Sequence, residues 1–177
     1  MAINQGYVIF RQPLHRYRQS QEVRINMIEN KAQLLADLAF VGSKVQIQTN
    51  AYLFAGAAFM WHGLKDATKD IDICCSYEEA DRIVSALRMV GNMESVTGIN
   101  DVHFLRIIFK SFSVQIFINE IWMGDEFQLL EAAHCDTLTF GGINFMIPDV
   151  KTLIMIRDRQ IQALYREWKK LAGERCI

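Results

Sequence analysis

The chain has 177 residues, of which 51% are hydrophobic, 11% aromatic and 22% charged; this fits one folded domain and excludes a disordered or low-complexity protein. Lys and Arg number 19 against 20 Asp and Glu, a formal net charge of -1, so no global basic field drives non-specific nucleic-acid binding, although nucleic acid stays open as a partner. The longest apolar stretch, Ala51 to Trp61, is far too short to span a bilayer, so no membrane role is expected.

Residues 1–24 read as an irregular polar arm with one short strand, Tyr7 to Phe10. The arm carries Arg11, Arg16 and Arg18 but no apolar run, so it does not read as a signal peptide. Residues 25–177 read as the folded domain. From Ile25 to Val41 the apolar residues Ile28, Ala32, Leu35, Leu38 and Ala39 recur at helical spacing, and Gly42 stops them. Val45 to Gln48 alternates like a half-exposed strand. Tyr52 to Phe54 reads as a short buried strand that runs into a small-residue turn, Ala55 to Ala58. Helix then continues through Phe59, Met60 and Trp61 as far as Gly63.

Beyond a charged loop, Ile71 to Cys75 reads as a strand. Ser76 with Glu79 three residues on is a capping box, and the helix it opens should reach about Val90 before Gly91-Asn92. Val102 to Phe109 and Ser113 to Ile118 read as strands joined tightly at Lys110-Ser111-Phe112. Thr137 to Phe140 and Ile143 to Ile147 flank Gly141-Gly142, a hairpin signal. Pro148-Asp149 opens a last helix that runs through Ile154, Ile161, Leu164 and Trp168 to about Leu171. Helices alternate with strands early, and strands meander later. The predicted class is α+β, α/β-like in its first half: a mixed β-sheet flanked by helices.

Cys74, Cys75, Cys135 and Cys176 show no zinc spacing, and the adjacent pair is awkward for a disulfide. They read as reduced, mostly buried thiols of a cytoplasmic protein. His62 lies in an apolar helix and reads as a packed, hydrogen-bonded side chain. His15, His103 and His134 are scattered without metal spacing. The charged residues of the last helix, among them Arg157, Asp158, Arg159 and Arg166, read as a solvated face.

One segment, Leu53 to Ile73, rises above this background. A strand ends in small residues where a helix begins, and backbone N–H groups at a helix start favour an anion. Gly56 allows a phosphate to approach the backbone closely. Lys65 and Lys69 are mobile cations suited to phosphate charge. Asp70-Ile71-Asp72 follows at the mouth of a strand, where a period of two puts both carboxylates on one face roughly 6–7 Å apart. Their oxygens can converge on a hard divalent cation. Both acids are expected at the carboxyl end of their strand, facing Gly56 across a cleft.

The segment resembles the nucleotidyltransferase superfamily, in its branch of small stand-alone proteins of the minimal or toxin–antitoxin type. The signature is a strand, a glycine turn, a helix, a glycine, a basic residue, a threonine and then Asp-x-Asp. The match is close from Leu53 to Ile73 and looser over the next helix, the strand Ser113 to Ile118, and Ile147-Pro148-Asp149. The resemblance implies a nucleotidyltransferase-like fold in which Asp70 and Asp72 hold Mg²⁺ (or Mn²⁺). It also implies that Ala55, Gly56, Lys65, Thr68 and Lys69 cradle an NTP. Two residues depart from the pattern. Ala55 stands for the first glycine, and Gln115, in Val114-Gln115-Ile116, stands where a third catalytic acid is expected. Gln115 offers a neutral oxygen and cannot act as a general base. Asn119 shares its strand face and is also neutral, whereas Glu120 falls on the other face. Two functions follow from the resemblance. One is Mg-dependent transfer of a nucleotidyl group to a protein, RNA or small-molecule hydroxyl. The other is an inactive relative that binds a nucleotide or a partner protein, such as a toxin–antitoxin component.

Overall fold

A computed structural model of the chain describes residues 27–97, 103–119 and 126–171. The arm 1–24 with its expected strand, Glu120 and Cys176 lie outside the described residues. The elements run α1 (Lys31–Lys44), β1 (Thr49–Phe54), α2 (Ala55–Trp61), β2 (Asp70–Cys75), α3 (Tyr77–Leu87), β3 (Asn92–Thr97) and β4 (His103–Ile108). They continue through β5 (Ser113–Ile118), α4 (Glu126–Glu131), β6 (Cys135–Phe140), β7 (Ile143–Pro148) and α5 (Val150–Leu171). Among the described residues, seven strands form one mixed sheet in the order β3-β4-β5-β2-β1-β7-β6. β2 pairs with β5, and β1 with β7, in parallel; the remaining neighbours are antiparallel.

Alternation along the strands divides the sheet into two faces. Ile71, Ile73, Val114, Ile116 and Ile107 are fully buried on one of them, and Leu34, Leu38, Ile83 and Leu87 of α1 and α3 belong to the same core. The opposite face carries Asp70, Asp72, Gln115 and Arg106. α3 starts as its sequence dictates: Ser76 accepts from the Glu79 N–H, and Glu79 reaches back to the Ser76 N–H. Asp149 caps α5 by accepting from the Thr152 N–H at 2.7 Å.

Two expectations need correction, and two further features were not foreseen. Val45 to Gln48 is not strand; β1 begins at Thr49, whose N–H meets Gly142 O at 2.9 Å in the ladder to β7. β3 and α4 carry no strong periodicity and are missing from the sequence reading. The later strands do not simply meander, since β5 and β7 each join the earlier strands in parallel. In α5 the apolar residues Ile154, Ile161 and Trp168 share a stripe, yet they are exposed (56%, 52% and 56%), while Leu153, Ile156 and Ala163 are buried. The helix is amphipathic on a different side from the one its largest apolar residues mark.

Backbone packs on backbone where the β6–β7 turn meets the end of α1. The Gly142 N–H donates to Gly42 O at 3.1 Å, and Gly141 has φ +54°. A Cβ on Gly141 would stand 2.2 Å from Gly42 O. Gly141→Ala therefore incurs both left-handed strain and overlap. It should lower stability by about 2–4 kcal/mol, read as a lower urea midpoint with an unchanged slope.

Candidate functional site

β1 runs up to Phe54, the chain turns into α2, and a loop returns it to the same end of the sheet, where antiparallel β2 begins. Register places Phe54 opposite Asp72. The two acids thus stand at the amino end of β2 rather than its carboxyl end. They meet the α2 turn because the carboxyl end of β1 lies beside them. An open cleft of about 550 Å³ forms there, lined by Met27, Ala55, Gly56, Phe59, Lys65, Ala67, Thr68, Lys69, Asp70, Asp72 and Arg157. Every site residue named from the sequence lines this one cleft except Gln115. Gln115 lies on β5 directly opposite Asp72 and is largely buried.

The turn into α2 is tight for a physical reason. A Cβ on Gly56 would lie 2.1 Å from Thr68 Oγ1 and 3.2 Å from Lys65 Nζ. Thr68 is itself fixed: its backbone exchanges hydrogen bonds with Ile28 at 2.8 and 3.0 Å, and its hydroxyl donates to Asp70 O at 3.2 Å. Its hydroxyl is therefore engaged in holding the start of β2, although it borders the cleft. Ala55, in the position of the first glycine, has φ +49°. That left-handed conformation costs a non-glycine residue about 1–2 kcal/mol. The turn thus takes a backbone conformation that glycine adopts freely.

Ser113 Oγ donates a short hydrogen bond to Asp70 Oδ1 and fixes that carboxylate. Ser113 is opposite Asp70 in the β2–β5 register, but nothing local in the sequence marks it. Arg106 is the second residue that sequence reasoning misses. It lies opposite Gln115 on β4, half-buried, and its buried Nε has no hydrogen-bond partner among the described residues. Arg157, read as solvated, borders the cleft from α5, and Phe59, read as core, forms part of its wall. His62 is packed as expected, with Nε2 2.8 Å from Pro148 O. Cys74 and Cys75 are buried thiols.

Burial pushes the Asp72 carboxyl up to about 7; the Asp70 charge adds to this, while Lys65 and Arg106 oppose it. Two acids on one face therefore resist sharing full charge unless a cation joins them. Their oxygens are the donors that Mg²⁺ and Mn²⁺ take, so the pair fits one dication. Among the described residues, no group of three or more His, Cys, Asp and Glu side chains forms a metal cage.

The structure is similar to that of a Thermotoga maritima protein provisionally named a nucleotidyltransferase, with a TM-score of 0.63 at 16% identity. The match covers 82% of this chain and 96% of that one. The architecture, a seven-stranded mixed sheet with helices, is a nucleotidyltransferase-like fold. No protein-family model matches the chain, and no curated protein does. Among the described residues no helix is long and apolar enough to cross a membrane.

Ala55→Gly should relieve the strain of about 1–2 kcal/mol while adding about 0.4–1 kcal/mol of unfolded-state entropy. The expected outcome is a melting temperature equal to or above that of wild type; a clear drop would show that Ala55 is unstrained. Asp72 gives a second prediction. Its folded pKa lies above the unfolded 3.8, so the native state holds the extra proton. The resulting stability is full below about pH 4 and fades as pH rises through about 7. Asp37, which burial raises to about 6, slopes the same way in both proteins. The wild-type minus Asp72→Asn difference in melting temperature should therefore fall from pH 4 to pH 8 in EDTA.

Proposed function

We propose that the cleft binds a nucleoside triphosphate together with Mg²⁺ (or Mn²⁺) and transfers its nucleotidyl group to a hydroxyl of a protein, an RNA or a small molecule. The observation that carries this reading is the convergence of Asp70 and Asp72 with the Gly56 turn, Lys65 and Lys69 around one opening. Asp70 and Asp72 would hold the metal. When bound, the metal polarises the phosphate and lowers the pKa of an attacking hydroxyl. Ser113 keeps the Asp70 carboxylate oriented towards its task. Lys65 and Lys69 neutralise phosphate charge, and the missing side chain at Gly56 lets the β1–α2 turn close on Thr68 and Lys65, which brings that lysine to the turn. Phe59 and Met27 offer apolar wall to a base. The fold likeness supports the class, and the cleft chemistry supports the substrate.

Gln115 favours a second reading, in which the nucleotide binds and turns over little or not at all. A neutral amide beside Asp72 accepts no proton, so no general base stands on β5 at this position. Such a protein would act through its bound state, for instance as one half of a toxin–antitoxin pair.

Calorimetry with each NTP, with and without Mg²⁺, tests the binding both readings share. Binding should require Mg²⁺, and Asp70→Asn/Asp72→Asn should weaken it about tenfold or more, a loss of about 1.4 kcal/mol or more. Unchanged binding in that variant, or no binding by wild type, would reject the site. Pyrophosphate release in the same mixtures, with protein, RNA and small-molecule acceptors, then separates transfer from binding alone.

A further inference from the structure

Strands β2, β5, β4 and β3 lay one row of side chains across the cleft face of the sheet. Asp72 stands beside Gln115, Gln115 beside Arg106, and Arg106 beside Glu94. Neighbouring strands are about 4.8 Å apart, so Arg106 starts about 10 Å from Asp72, a span that a long arginine side chain can largely cover. Its guanidinium carbon lies 5.8 Å from the centre of the Phe104 ring. Phe104 stacks on Phe117, which in turn meets Phe54 edge-on. This aromatic floor lowers the local dielectric and lengthens the reach of the charge. Among the described residues, Arg106 Nε is buried without a hydrogen-bond partner, a cost that a ligand can offset.

Taking the cleft as a nucleotide site, we propose that Arg106 stands in for a second metal: one divalent ion sits on Asp70 and Asp72, and the Arg106 guanidinium reaches from β4 to meet the triphosphate beside Lys65 and Lys69. Two carboxylates balance one dication, Gln115 adds no charge, and a fixed guanidinium beside it repels another dication. The planar fork of arginine suits phosphate oxygens, to which it can donate twice. The neutral amide at 115 has its own consequence. Glu94 flanks Arg106 from the exposed edge strand, and a carboxylate at 115 would add a second acid on the cleft side, drawing the guanidinium into an ion pair there; glutamine adds none.

The test is calorimetry of the full chain with Mn²⁺, and with sodium tripolyphosphate in the presence of Mn²⁺. The variants are Arg106→Gln, Arg106→Lys, Gln115→Asp and Gln115→Asp/Arg106→Gln. Wild type should bind one Mn²⁺. Arg106→Gln should weaken tripolyphosphate about tenfold or more, and Arg106→Lys should recover only part of that affinity, because lysine restores the charge without the two-pronged donor. Gln115→Asp should still bind one Mn²⁺, because its carboxylate pairs with Arg106, and should lose tripolyphosphate affinity. The double variant should bind two Mn²⁺. A folded Arg106→Gln that holds tripolyphosphate as wild type does overturns the assignment, as does a second Mn²⁺ in Gln115→Asp alone. If Arg106→Gln fails to fold, Arg106→Lys and Gln115→Asp still decide. A wild type that takes up neither probe overturns the nucleotide reading as well. Uptake of both without dependence on Arg106 overturns only the role of Arg106.

Discussion

Gly56 has no side chain, and the candidate site depends on that. The β1–α2 turn rests on Thr68 so closely that a single added carbon would overlap the threonine hydroxyl. Thr68 in turn is tied to Ile28 by its backbone and to Asp70 by its hydroxyl. The end of one strand and the beginning of the next are thereby held against each other. Because β1 and β2 are antiparallel, that junction is where Asp70 and Asp72 emerge. The left-handed Ala55 belongs to the same arrangement. Its strain persists because the surrounding contacts over-determine the turn.

The electrostatics follow from this geometry. Acids brought together on a partly buried face cannot both ionise cheaply, and Asp72 carries the penalty. Lys65 and Arg106 offset it, one from the loop before β2 and one from the next strand but one. The loop lysine sits within reach of the Gly56 backbone, while Arg106 is fixed in the sheet. A flexible lysine side chain and an arginine seated in the sheet respond differently to an incoming anion. The first can follow it, and the second sets where it must lie.

Legibility in the sequence tracks how local the determining interactions are. Asp70-Ile71-Asp72, the small-residue turn, the Ser76–Glu79 capping box and Gly141-Gly142 all act over a few residues, so spacing alone reveals them. The parallel pairing of β2 with β5 is different. It joins Asp70 to Ser113 and Asp72 to Gln115 across more than forty residues. The family resemblance pointed to Gln115, but Ser113 and Arg106 had no such guide and become visible only through strand register. β3 (Asn-Met-Glu-Ser-Val-Thr) is a mostly exposed edge strand specified by its partner rather than by its own pattern. In α5 the bulky residues Ile154, Ile161 and Trp168 dominate the periodicity, whereas smaller neighbours make the packing. A helical period shows that a face exists without showing which face the core takes.

The same alternation that hid the register also explains how the site could change without loss of the fold. Val114 and Ile116 are completely buried between the sheet and its helices, and Gln115 between them points the other way. Ile71 and Ile73 bear the same relation to Asp72. Stability resides on the core face, where burial of apolar side chains is worth about 1.5–3 kcal/mol each. Chemistry resides on the other face, one residue away. Glutamine at position 115 adds no like charge to Asp70 and Asp72, and the core packing beside it is left to Val114 and Ile116. A change of charge at 115 would thus act on the cleft face and leave the apolar core face as it is.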